Sequence, residues 1–242
     1  MQLCHIMKSN EHKKLPLCRN PKYFFPDISY TNSIPALARD NNCEMNPSVS
    51  RMITLIRRSG LLKYGDVFAD FITDENIEEA ILQGIRDYKE GDRTDLIFHL
   101  IEAWGGSAGR GFYIHHRGNM VALTHTLKAY EELINTCLHT KDTDSDSMTR
   151  LVNAGRAFDK AAPFIGISFI TKHIHFWLTK NLGDNALPIF DSVVSVWVMR
   201  QSQPEWSHLN EYWNVMKDKA TETGISLRAL ERQVFNYALR HK

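Results

Sequence analysis

The sequence predicts a mainly α protein, a helical body in two lobes behind an irregular N-terminal arm. Three observations carry this. From Ser48 onward apolar residues recur every three to four positions, the period of an amphipathic helix. Residues 1–47 hold Pro16, Pro21, Pro26, Pro35 and Pro47, five of the chain's 8 prolines, a density that helices do not survive. Nowhere do alternating apolar and polar residues run between hairpin turns, as strands would require.

Taken in order, the arm of residues 1–47 reads as extended chain packed on the body and anchored by Tyr23, Phe24, Phe25 and Tyr30. Pro47-Ser48 opens a helical stretch with Met52, Leu55, Ile56 and Leu62. Asp74 is placed to cap a short helix carrying Ile77, Ile81 and Ile85, and Asp92 or Thr94 to cap one with Leu96, Ile97, Leu100 and Ile101. That helix runs into the glycine-rich Trp104-Gly105-Gly106-Ser107-Ala108-Gly109-Arg110-Gly111. Asn119 to Leu138 follows as another amphipathic helix. Residues 140–147 form a polar hinge, the expected boundary between the lobes; their Asp spacing lacks the Gly and the closing Glu of a calcium loop. Helical stretches then follow over about 147–161, 168–182, 191–202 and 227–240. The total is seven to ten helices, with 48–242 forming one two-lobed domain.

Composition excludes several classes. With 43% hydrophobic and 24% charged residues the chain is globular rather than disordered. The net charge of +1 excludes a histone-like polycation, although a local basic patch is compatible with it. No apolar run reaches the roughly 18 residues of a membrane span. The start, Met1 to Lys8, lacks the apolar core of a secretory signal. Cys4, Cys18, Cys43 and Cys137 are scattered, without a C-x-x-C pair, so neither a zinc site nor a disulfide scaffold is expected and a reducing cytoplasm is the simplest home.

Residues 163–197 carry the chemistry. A turn with Gly166 joins two helices, and the second bears Lys172. Ile170, Ile174, Trp177 and Leu178 form its buried stripe. Lys172 lies on another stripe, three residues after Phe169 and four before Phe176. Aromatic neighbours desolvate an ammonium and lower its pKa, and a neutral amine is a nucleophile. Asp191 follows Leu187-Pro188-Ile189-Phe190 and precedes Ser192-Val193-Val194, the position of a helix N-cap, where backbone amides hold a carboxylate ionised and fixed in direction. Taken singly, each residue also fits an ordinary role: a lysine whose stem covers apolar surface, and a capping aspartate.

Together they resemble the helix-hairpin-helix DNA glycosylase superfamily, most closely its 8-oxoguanine DNA glycosylase branch. The matching features are the hairpin at about 163–168, Thr171-Lys172 near the start of the second helix, the apolar-Pro stretch Leu187–Phe190, and Asp191 nineteen positions after Lys172. The likeness is clear over about 147–200 and weaker over about 50–242. Two departures stand out. The family hairpin usually carries glycines two and four residues before the lysine, where this chain has Ile170 and Ser168. The β-rich N-terminal part of the eukaryotic type has no counterpart pattern here, so the chain looks more like compact bacterial members of the fold, some of which are thought to act against phage DNA.

The resemblance implies an enzyme that flips a modified base out of double-stranded DNA and cleaves its N-glycosidic bond, with no cofactor and no metal, acting as a monomer. Lys172 would attack C1′ or position a water, and Asp191 would stabilise positive charge on the sugar. Gly166, Ser168, Thr171, His173, His175 and Phe176 would contact DNA or the base. In the glycine-rich stretch two readings stay open: Trp104, Gly105, Gly106 and Arg110 supply a stacking wedge, close backbone approach and a phosphate contact, or they form a plain loop between helices with a buried Trp. Two substrate classes compete: oxidised guanine, with associated lyase activity, and a bulky phage base such as glucosylated hydroxymethylcytosine. A non-catalytic DNA-binding module of the same fold is the rival reading. His115, His116, His173 and His175 suggest metal at first sight. His173 and His175, two apart, point to different helix faces, and DNA contact or plain surface is the expected role. Arg228, Arg232 and Arg240 mark the solvated face of the last helix.

Overall fold

The computed structural model describes residues 23, 25, 51–52, 54–56, 76–90, 92, 94–106, 110–115, 120–201 and 203–241. Within these residues the regular structure is helical and no strand is present. The expectations for Phe24, Tyr30, Leu62, Asp74, Ser107, Ala108, Gly109 and His116 lie outside the described residues. Of the arm, Phe25 is buried in the core and the Tyr23 hydroxyl donates to Glu211. Met52 and Ile56, in helical geometry, are buried as their spacing predicts.

The first complete helix, α1 (Ile77–Asp87), buries Ile77, Ile81 and Ile85 along one face and places Glu78 and Glu79 at its positive end. Next, α2 (Asp95–Trp104) buries every residue from Ile97 to Ala103. Leu96, expected inside, is exposed, because the stripe of this helix runs through Ile97, Phe98 and Ile101 instead. Thr94 holds its N-cap position without a side-chain bond, and Asp92 accepts from the Lys89 amide rather than capping α2.

A short α3 (Arg110–His115) leads to the long α4 (Met120–His139). The polar residues 140–144 then connect to α5 (Ser145–Ala161), where Asp144 accepts from the Ser147 amide as N-cap. Next comes α6 (Ile167–Leu182), the central helix, packed on α1, α2, α4 and α5. Its far end ties the body together. Lys180 Nζ donates to the carbonyls of Ile85, Arg86 and Tyr88, which the end of α1 leaves unpaired, and Asn181 Nδ2 donates to those of Leu138 and Thr140 at the end of α4.

After a 3₁₀ turn at Gly183–Asn185 the chain runs extended through residues 186–191 into α7 (Ser192–Val198). The sequence reading missed α8 (Leu209–Thr223), whose Leu209, Tyr212, Trp213, Met216 and Ala220 are buried at helical spacing. The last helix, α9 (Leu227–Arg240), is capped by Ser226 and packs against α7 and α8. No helix among the described residues is long and apolar enough to cross a membrane.

Candidate active site

The extended residues 187–190 have hardly any backbone partners of their own, and side chains from three helices hold them instead. The Leu187 carbonyl accepts from His175 Nδ1 at 2.9 Å, and the Pro188 carbonyl from Trp213 Nε1 at 3.0 Å. Ile189 donates its amide to Glu231 Oε1 at 3.0 Å and accepts from the Tyr212 hydroxyl at 2.8 Å. The Phe190 amide donates to Thr171 Oγ1 at 3.1 Å, and its ring stacks on Tyr212. A buried backbone must find partners, so this strap is fixed in register against α6, α8 and α9. It ends on Asp191, whose Oδ1 accepts from the amides of Val193 and Val194, both at 2.9 Å. The N-cap expected from the sequence is therefore present, with both cap bonds on one carboxylate oxygen.

Lys172 stands on α6 one residue after Thr171. Its Nζ lies 4.1 Å from the centre of the Phe169 ring, as the aromatic spacing implied. Burial draws the amine below the ordinary lysine range, while the charges of Asp191, Glu102 and Glu231 pull the other way. Lys172 and Asp191 line one cavity together with Trp104, His175, Phe176 and Glu231, and α9 adds Arg228, Arg232, Phe235 and Asn236. Trp104 meets Phe176 edge-on at 5.0 Å. Glu78 reaches the same cavity from α1 and accepts from both Arg228 and Arg232.

Other expected residues sit differently. His175 lines the cavity but is buried, not at the surface. Burial lowers its pKa to about 4, so its ring is neutral, donating from Nδ1 to Leu187 and leaving Nε2 as an acceptor. His173 is fully buried in the core. Its Nε2 pairs with Glu102 Oε1 at 3.0 Å and its Nδ1 with the Tyr130 hydroxyl at 2.9 Å, while Phe98 stacks on its ring. Both ring nitrogens are thus occupied inside the protein. Surface exposure, expected for these two histidines, is corrected by the helix packing: α6 is surrounded on more faces than one apolar stripe suggests.

The turn before α6 lies at Phe164 to Gly166. Ser168 and Ile170, which replace the family glycines, lie within the first turn of α6, where helical geometry suits any residue. The turn falls earlier. Phe164 there has φ 72°, and Gly166 is the N-cap, with open space where a Cβ would stand. Thr171 does not face outward; its hydroxyl donates to Ser168 and accepts from Phe190.

In the glycine-rich stretch, Gly105 has a steric reason: a Cβ there would lie 2.3 Å from Phe169 Cε1, inside the ring that carries Lys172. Gly106 follows at φ 77°. Arg110 is exposed at the start of α3 and does not line the cavity.

Sequence reasoning missed Glu231, Glu78, Phe235 and Asn236. Glu231 was legible in principle. It lies four residues after Leu227 and three before Val234, on the apolar stripe of α9, so a charged residue there points inward.

Residues 73–235 match the family model described as "Putative 8-oxoguanine DNA glycosylase OGG-like protein". No curated protein and no solved structure gave a match. The matched span covers more than half of the chain and contains Lys172, Asp191 and Glu231, so the protein belongs to the 8-oxoguanine DNA glycosylase OGG-like family.

Proposed function

We propose that the protein excises a modified base from double-stranded DNA, with Lys172 and Asp191 acting at the sugar. The observation that carries this reading is that a partly desolvated amine and an amide-capped carboxylate line the same cavity. The base would enter between Trp104 and Phe176 on one side and Phe235 on the other. Asp191 would stabilise the positive charge that develops on the sugar, and Lys172 would attack C1′ to give a Schiff base or hold the attacking water. Glu78 and Trp104 precede residues 140–147 and the other lining residues follow them, which supports a DNA cleft between two lobes that meet at this boundary.

The family description supports oxidised guanine as substrate. The polar residues Glu78, Arg228, Arg232 and Asn236 in the lining offer donors and acceptors that suit a hydroxyl-bearing base. Glucosylated hydroxymethylcytosine has that chemistry, and its removal would serve defence against phage DNA.

The test is borohydride trapping on duplexes carrying 8-oxoguanine or glucosylated 5-hydroxymethylcytosine, with mass spectrometry of released bases. Asp191→Asn should slow release about a thousandfold, roughly 4 kcal/mol, while duplex binding persists. Wild type should form a covalent adduct that Lys172→Gln abolishes. Release by Lys172→Gln with no wild-type adduct would assign the attack to water. Wild-type rates of release in both variants would make Lys172 and Asp191 structural and end the reading at this site, whereas binding of these duplexes with release of neither base would leave a DNA-binding module.

A further inference from the structure

We propose that Glu231 is a second catalytic carboxyl of the cavity, the acid that delivers a proton to the departing base as the N-glycosidic bond breaks. This rests on the base-removal reading above. Glu231 and Asp191 line one cavity and are tied to the same strap, Glu231 through the Ile189 amide two residues before Asp191. Their surroundings are opposite. Asp191 takes two amides at a helix N-terminus, which favours its charged form. Glu231 is buried and takes one amide, on Oε1. Its Oε2 makes no hydrogen bond among the described residues. His175 Nδ1 stands 4.0 Å from it and already donates to Leu187. Oε1 being the acceptor for Ile189, a proton on this carboxyl resides on Oε2.

The groups facing Glu231 come from every side: His175 and Lys172 from α6, Asp191 from the strap, Tyr212 from α8, Glu78 from α1, and Arg228 and Arg232 from its own helix. His175 is neutral, Tyr212 is held in its phenol form, and both guanidiniums are engaged by Glu78. Burial therefore prevails, reinforced by the Asp191 charge against the pull of the Ile189 amide and the arginines, and the Glu231 pKa rises to about 8. A carboxyl kept protonated beside one kept charged is the division of labour between an acid and a charge stabiliser.

In the step, the bond between C1′ and the base nitrogen breaks and its electron pair leaves with the base. The proton on Glu231 Oε2 passes to the base, which departs neutral. The positive charge left on the sugar faces the Asp191 carboxylate until C1′ bonds to the Lys172 amine or to water, and that nucleophile loses its own proton to solvent. Glu231 remains as carboxylate and regains a proton from solvent after the base has left.

Glu231→Gln tests this. It keeps an oxygen for the Ile189 amide but has no proton to give. The probes are duplexes carrying one 8-oxoguanine or one glucosylated 5-hydroxymethylcytosine. Wild-type single-turnover release should fall above about pH 8, the opposite of the rise that deprotonating Lys172 would cause. At pH 7 the variant should be at least a hundredfold slower, the usual scale of acid catalysis, and should show no fall across pH 8. Its affinity for the same duplex bearing a 2′-fluoro group, which blocks bond breakage, should stay within about threefold of wild type. Infrared spectra of the free wild type at pH 7 should show a buried protonated carboxyl band that the variant lacks. An ionised Glu231 at pH 7 overturns the proposal without any substrate. Wild-type rate and pH profile in the variant overturn it while the base-removal reading stands. Release of neither base by wild type, with the infrared band present, overturns the base-removal reading and the proton transfer with it.

Discussion

The Phe190 amide donates to the Thr171 hydroxyl across 3.1 Å, and each of these residues directly precedes a residue of the cavity. This hydrogen bond ties the strap to α6 directly beside Lys172 and Asp191, although nineteen positions separate them in sequence. Thr171 cannot be replaced by an apolar isostere without leaving the Phe190 amide unpaired in the core.

Thr171→Val should consequently cost about 1–3 kcal/mol of stability, the penalty for a buried donor without a partner. It should also slow base release, because the strap is no longer held to α6. Thr171→Ser keeps the hydroxyl and should restore most of both. Urea unfolding and single-turnover kinetics on the same three proteins check this. A valine variant as active and stable as wild type would mean the strap is held well enough by its other bonds.

Gly105→Ala acts on Lys172 from the opposite side. The added methyl would overlap the Phe169 ring, with 2.3 Å to Cε1 and 2.8 Å to Cζ, so the ring must move, and the ring is the surface beneath the Lys172 amine. Overpacking of this kind costs about 1–3 kcal/mol. Gly105→Ala combined with Phe169→Leu should recover part of that stability, and the amine should be trapped by borohydride more slowly in Gly105→Ala than in wild type. Thermal unfolding and adduct yield measure the two effects.

How much of this was legible follows from what each residue had to signal. The cap at Asp191 and the contact of Lys172 with Phe169 are local, so spacing within a few residues predicts them. The strap is not local. Its partners, Trp213, Tyr212 and Glu231, lie 23 to 42 residues away, on one helix the sequence reading missed and another whose charges were taken as solvated. Residues 209, 212, 213, 216 and 220 do carry the helical period, but the polar residues between them diluted it. The pairing of His173 with Glu102 was invisible because burial of a polar pair leaves no period of its own; only the packing of α2 on α6 brings them together.

That pair supplies a third expectation. The side chains of Glu102 and His173 have no exposure, and removing one partner strands the other in the core. Glu102→Leu should destabilise the protein by about 3–5 kcal/mol, whereas Glu102→Gln, which keeps an acceptor for the His173 ring, should cost much less. Both should be read by urea unfolding at pH 7. Equal losses in the two variants would show that the charge of Glu102, not its hydrogen bond, holds the pair.

His175 and Glu231 should give the protein two opposed pH dependences. Burial depresses the His175 pKa from 6.5 to about 4, so between those values the unfolded chain binds a proton that the folded protein refuses. The stability is therefore complete above about pH 6.5 and is lost as the pH falls towards 4, by about 3 kcal/mol. Glu231 runs the other way. Its pKa is raised from 4.5 to about 8, so the folded state binds the extra proton, and stability is complete below about pH 4.5 and declines as the pH rises towards 8. Where the windows overlap the two slopes oppose each other, and wild-type stability alone shows little. The variants separate them. His175→Gln keeps a donor for the Leu187 carbonyl without a titrating ring, so its stability relative to wild type should improve steadily as the pH falls from 6.5 to 4. Glu231→Gln should instead gain on wild type as the pH rises from 4.5 to 8. Urea unfolding of the three proteins across pH 4–9 gives both differences. If His175→Gln follows wild type in parallel through the acid range, the ring takes up its proton in the folded protein as readily as in the unfolded chain, and below about pH 6.5 Nε2 is a donor to the cavity rather than an acceptor.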